Sequence, residues 1–201
     1  MNNLAKHIEN LRKYDLPVVV ALNAFPDDSD DDVKQIRNFC ASLNTPCERS
    51  AVFAEGGAGA LELAETVAAL ADRSQLGPIA PLYSADLSFA EKIRRVATEI
   101  YGARDITIGD TAKAKLRLFT ELGFAHLPVC IAKTQNSLSD DAKKLGAPRD
   151  WTFTASDAHL SSGAGFVVVI AGNMLLMPGL PKTPQAVKIH LAADGRIVGL
   201  S

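Results

Sequence analysis

The chain has 201 residues, 47% of them hydrophobic and 22% charged, with a formal net charge of −2. That length makes one large or two small domains with a sizeable core, and that charge provides no positive field to attract nucleic acid or an anionic membrane. Three cysteines, Cys40, Cys47 and Cys130, with no close pair and no metal-ligand spacing, exclude a disulfide framework and read as buried structural thiols in a reducing compartment.

Leu4, Ile8 and Leu11 recur at helical spacing and predict a helix over 3–13. The segment is polar and lacks the apolar stretch of a signal peptide. "LPVVVAL" (16–22) is a β-branched run bounded by turn residues, the pattern of a strand buried on both faces. "DDSDDD" (27–32) places five acids in six positions at a loop and the first turn of a helix. Asp30 is expected to cap that helix, with Val33, Ile36, Cys40 and Leu43 on one face. "ERSAVFA" (48–54) reads as a second strand, and the glycines after it open an alanine- and leucine-rich helix. The order strand, helix, strand, helix is the end of a parallel α/β sheet.

"GPIAPLY" (77–83) is a proline-marked connection. Ser88 and Glu91 form a capping box for a helix that buries Ile93, Val96 and Ile100. "DITIG" is a short strand, Asp110 is expected to cap the next helix, and Ala112, Leu116 and Phe119 face inward. "LPVCIAKT" (127–134) reads as another buried strand. "WTFTAS" and "GFVVVIAG" follow, and "VKIHLA" and "RIVGLS" close the chain around a turn at Ala193, Asp194 and Gly195. The apolar run 166–176 is too short for a bilayer, which needs about 20 residues. It reads as a core strand between Gly163 and Gly165 on one side and the stiff "MPGLP" exit, with Pro178 and Pro181, on the other. The expected fold is α/β: a mostly parallel sheet with flanking helices and a smaller C-terminal α+β portion. Residues 1–80 would end a parallel-sheet domain, and 81–201 would form a second portion with a closing hairpin.

Ligands in open α/β sheets bind beyond the carboxyl ends of the strands. That rule selects "NAFPDD", "FAEGGAG" and "KTQNSLSDD". Phe25 and Phe53, at neighbouring strand exits, can sandwich a flat heterocycle or simply tuck under their loops. Gly56, Gly57 and Gly59 can present backbone N–H groups to an anion or make a tight strand-to-helix turn. Lys133, Thr134, Gln135 and Ser137 suit a phosphate or a polar ring edge, or a solvated loop. His7, His126, His159 and His190 are scattered, so no nucleophile, general base or metal site is assigned.

Taken together, "NLAKHIENLRKYDLPVVVALNAFPDD", "FAEGGAGALELAE", "EKIRRVATEIYGA", "GFAHLPVCIAKTQNSLSDD", "GAGF" and "MPGLPKTP…GLS" resemble the C-terminal part of formate–tetrahydrofolate ligase, also called formyltetrahydrofolate synthetase. The likeness covers essentially the whole chain. It implies a cytoplasmic enzyme that activates formate with ATP, with Mg²⁺, as formyl phosphate and passes the formyl group to N10 of tetrahydrofolate. The family is typically homotetrameric. It implies that Phe25 and Phe53 stack on the pterin, with Asn23, Pro26, Glu55, Gly56 and Gly57 shaping the pocket; the family commonly has tryptophan at the position of Phe53. Ser156 and His159 stand where the family usually carries arginines, and Asn173 where it carries aspartate. No GxxxxGK[ST] loop occurs in the sequence. The chain therefore reads as a fragment unable to transfer a phosphoryl group alone. A stand-alone folate-binding module and an unrelated α/β phosphate-binding protein are the alternative readings.

Overall fold

The computed structural model describes residues 1–73, 77–172 and 182–199. A helix, α1 (Asn2–Arg12), precedes strand β1 (Val20–Asn23), helix α2 (Asp30–Ser42) and strand β2 (Cys47–Ser50). β1 and β2 pair in parallel, Val20 opposite Cys47 and Asn23 opposite Ser50. Ser29, not Asp30, caps α2: its Oγ accepts the Asp32 N–H at 3.1 Å. Asp30, Asp31 and Asp32 then occupy the first turn, where the helix dipole favours negative charge.

Both strands of this pair are shorter than the expected 16–22 and 48–54. Pairing starts at Val20 and alternates half-buried with exposed residues, so the 16–22 run is not buried on both faces. The second strand stops at Ser50, and Val52–Glu55 instead forms a short helix, α3. With β1 ending at Asn23, residues 52–55 have no strand partner among the described residues; the Ala51 carbonyl accepts Glu55 N–H at 2.9 Å and starts a helical turn. A 3₁₀ turn (Gly56–Ala60) leads into α4 (Leu61–Arg73).

The second sheet carries the core. Helix α5 (Phe89–Arg95) starts at the expected capping box, Glu91 N–H donating to Ser88 Oγ at 3.3 Å and Ser88 N–H to Glu91 Oε2 at 2.9 Å. It runs into a π-helical turn (Val96–Ile100), then β3 (Asp105–Ile108), α6 (Asp110–Glu121), β4 (Val129–Ala132), β5 (Thr152–Ser161) and β6 (Phe166–Ala171). Gly109 occupies the cap of α6 and Asp110 its first helical position, while Ala112, Leu116 and Phe119 are buried as expected. Strand order is β3-β5-β6-β4, with β3–β5 and β4–β6 parallel and β5–β6 antiparallel. The β5–β6 hairpin takes the centre, so β4 is an edge strand and Cys130 is exposed rather than buried. Phe153, Ala155, Ala158, Val167 and Val169 are fully shielded and cluster with Phe89 and Ile93 of α5, Ala112, Leu116 and Phe119 of α6, and Trp151. Burying each large apolar side chain stabilises the fold by about 1.5–3 kcal/mol.

Three of the five strand pairings among the described residues are parallel, and helices flank the sheets, so the fold is α/β. α1 straps the two sheets together. Arg12 donates to Leu43 O at 2.6 Å and Thr45 Oγ1 at 2.8 Å beside β2, while Lys6 and Asn10 donate to Glu99 O and Ile100 O at the end of the π-helical turn. A hairpin of β7 (His190–Leu191) and β8 (Ile197–Val198) turns over 192–196, with Gly195 N–H bonded to Ala192 O. Its paired residues are exposed. Asn173, Pro178 and Pro181, with the exit of the long apolar run, lie outside the described residues.

Candidate functional site

Parallel pairing fixes where the first two loops begin. Because Asn23 lies opposite Ser50, and Ala24 N–H bonds Ser50 O at 2.9 Å, both chains leave the carboxyl end of the sheet about 4.8 Å apart. Phe25 follows two residues beyond Asn23, and Phe53 three residues beyond Ser50. A local turn holds Phe25: its N–H donates to Asp28 Oδ2 at 2.8 Å and its carbonyl accepts Asp28 N–H at 3.1 Å. Phe53 rides on α3. Their exposures are 60% and 96%, so neither ring is tucked under its loop.

Asn23, Pro26, Glu55, Gly56 and Gly57 are exposed around the same strand ends. Gly56 ends α3 at φ 60°, ψ −146°, a conformation that excludes a side chain. Gly59 serves packing: a Cβ there would sit 2.7 Å from the backbone carbon and oxygen of Ala51, whose N–H bonds Gly59 O at 2.8 Å. The glycine run therefore makes the tight strand-to-helix turn. Beneath it Arg49, Ala51, Glu55, Ala58, Gly59, Leu61 and Glu62 line a cavity of 340 Å³. Sequence reasoning missed Arg49, a guanidinium near the carboxyl end of β2; its place after Glu48 in a short mixed-polarity strand was the only signal.

The third loop is organised differently. Lys133, Thr134, Gln135 and Ser137 do come together, lining a cavity of 330 Å³ with Asn3, His7 and Tyr101. Yet Lys133 Nζ donates to Thr134 O at 2.9 Å and to Ser137 O, and lies 5.0 Å above the Tyr101 ring. Burial pushes the Lys133 ammonium pKa below its ordinary value. Thr134 Oγ1 accepts Asn136 N–H, and Ser137 Oγ donates to Lys144 O and accepts Ser139 N–H. These groups fold the loop; Gln135 alone of the four is exposed.

Ser156 and His159 both fall in β5. Ser156 occupies a bulge between Ala155 and Asp157, and its Oγ donates to Ile170 O at 3.1 Å. His159 Nε2 lies 3.6 Å from Asp157 Oδ2, whose other oxygen meets Lys115 at 2.6 Å. No group of three or more His, Cys, Asp or Glu side chains among the described residues is placed to hold a metal ion.

A family model for formate–tetrahydrofolate ligase matches residues 1–201. The formate–tetrahydrofolate ligase of Thermosipho melanesiensis is 48% identical over 202 residues, covering all of this chain and 35% of that protein. That of Haloquadratum walsbyi is 46% identical over 98% of this chain and 34% of its own length. That of Granulibacter bethesdensis is 44% identical over the same shares. The chain thus spans about a third of the length of these curated relatives.

Proposed function

The chain belongs to the formate–tetrahydrofolate ligase family, and on that premise we propose that it supplies the pterin-binding side of the ligase site. In the complete protein, formate is joined to tetrahydrofolate at the expense of ATP, giving 10-formyltetrahydrofolate, ADP and phosphate. Phe25 and Phe53 clamp the bicyclic ring between them, and Asn23, Pro26, Glu55, Gly56 and Gly57 form the rim. The contribution is positioning: the stacked ring turns N10 toward the activated formyl carbon. The observation that carries this reading is the Asn23–Ser50 register, which starts both aromatic loops from the carboxyl end of one sheet.

ATP and its magnesium ion are assigned to the remainder of the full-length protein, since this sequence has no phosphate loop. Any polar contact from loop 133–137 falls first to Gln135, the exposed side chain of the four, because Lys133 and Thr134 bond within the loop and Ser137 bonds Lys144 O. Residues 1–80 are read as the end of the larger parallel-sheet domain and 81–201 as a second portion. The described residues contain no helix long and apolar enough to cross a membrane, and a cytoplasmic homotetramer is proposed for the complete enzyme.

Titrating tetrahydrofolate against the chain, with and without Phe25→Ala and Phe53→Ala, tests this. Stacking on one aromatic contributes about 1–3 kcal/mol. Each substitution is therefore expected to weaken binding roughly 5- to 150-fold. Unchanged affinity in both variants would remove the clamp; ATP-dependent formyl transfer by the chain alone would contradict the division of labour.

A further inference from the structure

Helix α4 has two apolar faces, and only one of them is covered. Successive residues step by about 100° around a helix. Leu63, Thr66 and Leu70, half-buried, form the face turned inward. Leu61, Ala64, Val67, Ala68 and Ala71 form a second stripe, about 120° wide, next to it. All five are exposed, Leu61 at 61% and Val67 at 45%, and no residue of α4 is fully buried. Glu65 and Asp72 bound the stripe on its far side. Leucine and alanine side chains thus span about half of the circumference, wider than the single covered face needs, and a helix with such a second apolar face belongs between two layers.

The sheet beside it is equally incomplete. A parallel sheet is normally covered on both faces, and two strands are fewer than independent stability requires. β1 and β2 form a two-stranded parallel sheet, so each has an edge unpaired by another described strand. Residues 1–73 supply only Ile8, Cys40 and Cys47 as buried hydrophobics, and none joins the main core cluster.

We propose that the Leu61–Ala71 stripe of α4 is an interface for the additional polypeptide of the full-length ligase, which packs a second apolar layer on it and extends the β1–β2 sheet. The inference rests on the reading that residues 1–80 end a larger domain. The occupant follows from length: the Thermosipho relative carries nearly two thirds of its polypeptide outside the aligned region. An apolar face this wide beside an unfinished sheet calls for a layer of that size, not a small ligand.

Ala64, near the middle of the stripe, separates the possibilities. Ala64→Glu and, independently, Ala71→Glu are placed in this chain alone and in a chimera where the chain replaces its 202-residue counterpart in the Thermosipho ligase. Melting temperature and sedimentation are measured for both. The expected result is no change in the chain alone, which stays monomeric, and a fall of roughly 5 °C or more, or loss of soluble protein, in the chimera. An equal effect in both contexts, or none in either, would overturn the proposal. So would a dimer of the chain alone that either substitution dissolves, since a second copy would then be the occupant. Tetrahydrofolate binding by the unsubstituted chimera reads the family function separately, so the two ideas can fail independently.

Discussion

Burial, and then the neighbouring Cys40, push the Cys47 thiol up to about 11. Cys40 at the end of α2 and Cys47 at the start of β2 meet because the chain reverses between them, Leu43 and Thr45 N–H both bonding Cys40 O. A seven-residue separation conceals such a pair when it spans a helix end and a turn, so the sequence showed no partner. Cys130 stands exposed on the edge strand. In thiol labelling at neutral pH, Cys130 should react fast and the other two only on unfolding; a second fast thiol would contradict the packing around α2. Gly59 is equally specific. Gly59→Ala would press a Cβ onto Ala51 backbone, and overpacking of this kind costs about 1–3 kcal/mol. Chemical denaturation should show that loss, whereas Gly57→Ala, which meets no atom within 4 Å, should show far less steric penalty. The aromatic candidates were legible as residues because Phe25 and Phe53 sit where the strand pattern breaks. Ser29 as the cap of α2 was not, because in "DDSDDD" every member is a plausible cap and only geometry selects one.

Within single elements, helix positions followed from periodicity, and strand limits did not. A helix makes its hydrogen bonds internally, so Ala112, Leu116 and Phe119 announce its buried face. A strand extends only as far as a partner does. Residues 51–54 turn helical beyond the end of β1, and β5 runs on to Ser161 because β6 lies beside it. Along β5, Asp157 accepts from Lys115, which holds its carboxyl below the ordinary value near 3.8. A depressed folded pKa means that the pair's stabilisation is present above that ordinary value and fades as pH falls through the lower one. Lys115→Ala should raise the Asp157 midpoint in an NMR titration with the fold intact; an unmoved midpoint would show that the ion pair does not form in solution. In α5, Lys92 is fully buried and donates to Ala125 O and Leu127 O at 2.6 and 3.0 Å. Lys92→Ala strands both carbonyls and leaves a cavity, so a loss of about 2–4 kcal/mol is expected in urea unfolding.

For the molecule as a whole, stability should be unevenly distributed. The main core cluster lies entirely within residues 89–171, while β1, β2 and α4 lean on it through α1. Hydrogen exchange should therefore protect β5 and β6 amides to the level of global unfolding and open β1, β2 and α4 at lower free energy. Equal protection of both sheets would show that the first sheet has a core of its own. The α/β class was readable from the alternation of elements, and the proline-marked connection "GPIAPLY" lies in the chain between the strands of the two sheets. The strand order β3-β5-β6-β4 was not readable, since no local signal says that a late hairpin enters the middle of a sheet. The most direct test of the central claim is an intermolecular NOE spectrum of the chain, ¹³C-labelled in phenylalanine, with tetrahydrofolate bound. Cross-peaks from the C6 and C7 protons of the reduced pterin to both Phe25 and Phe53 are the expected result; bound tetrahydrofolate with contacts to neither ring would contradict it.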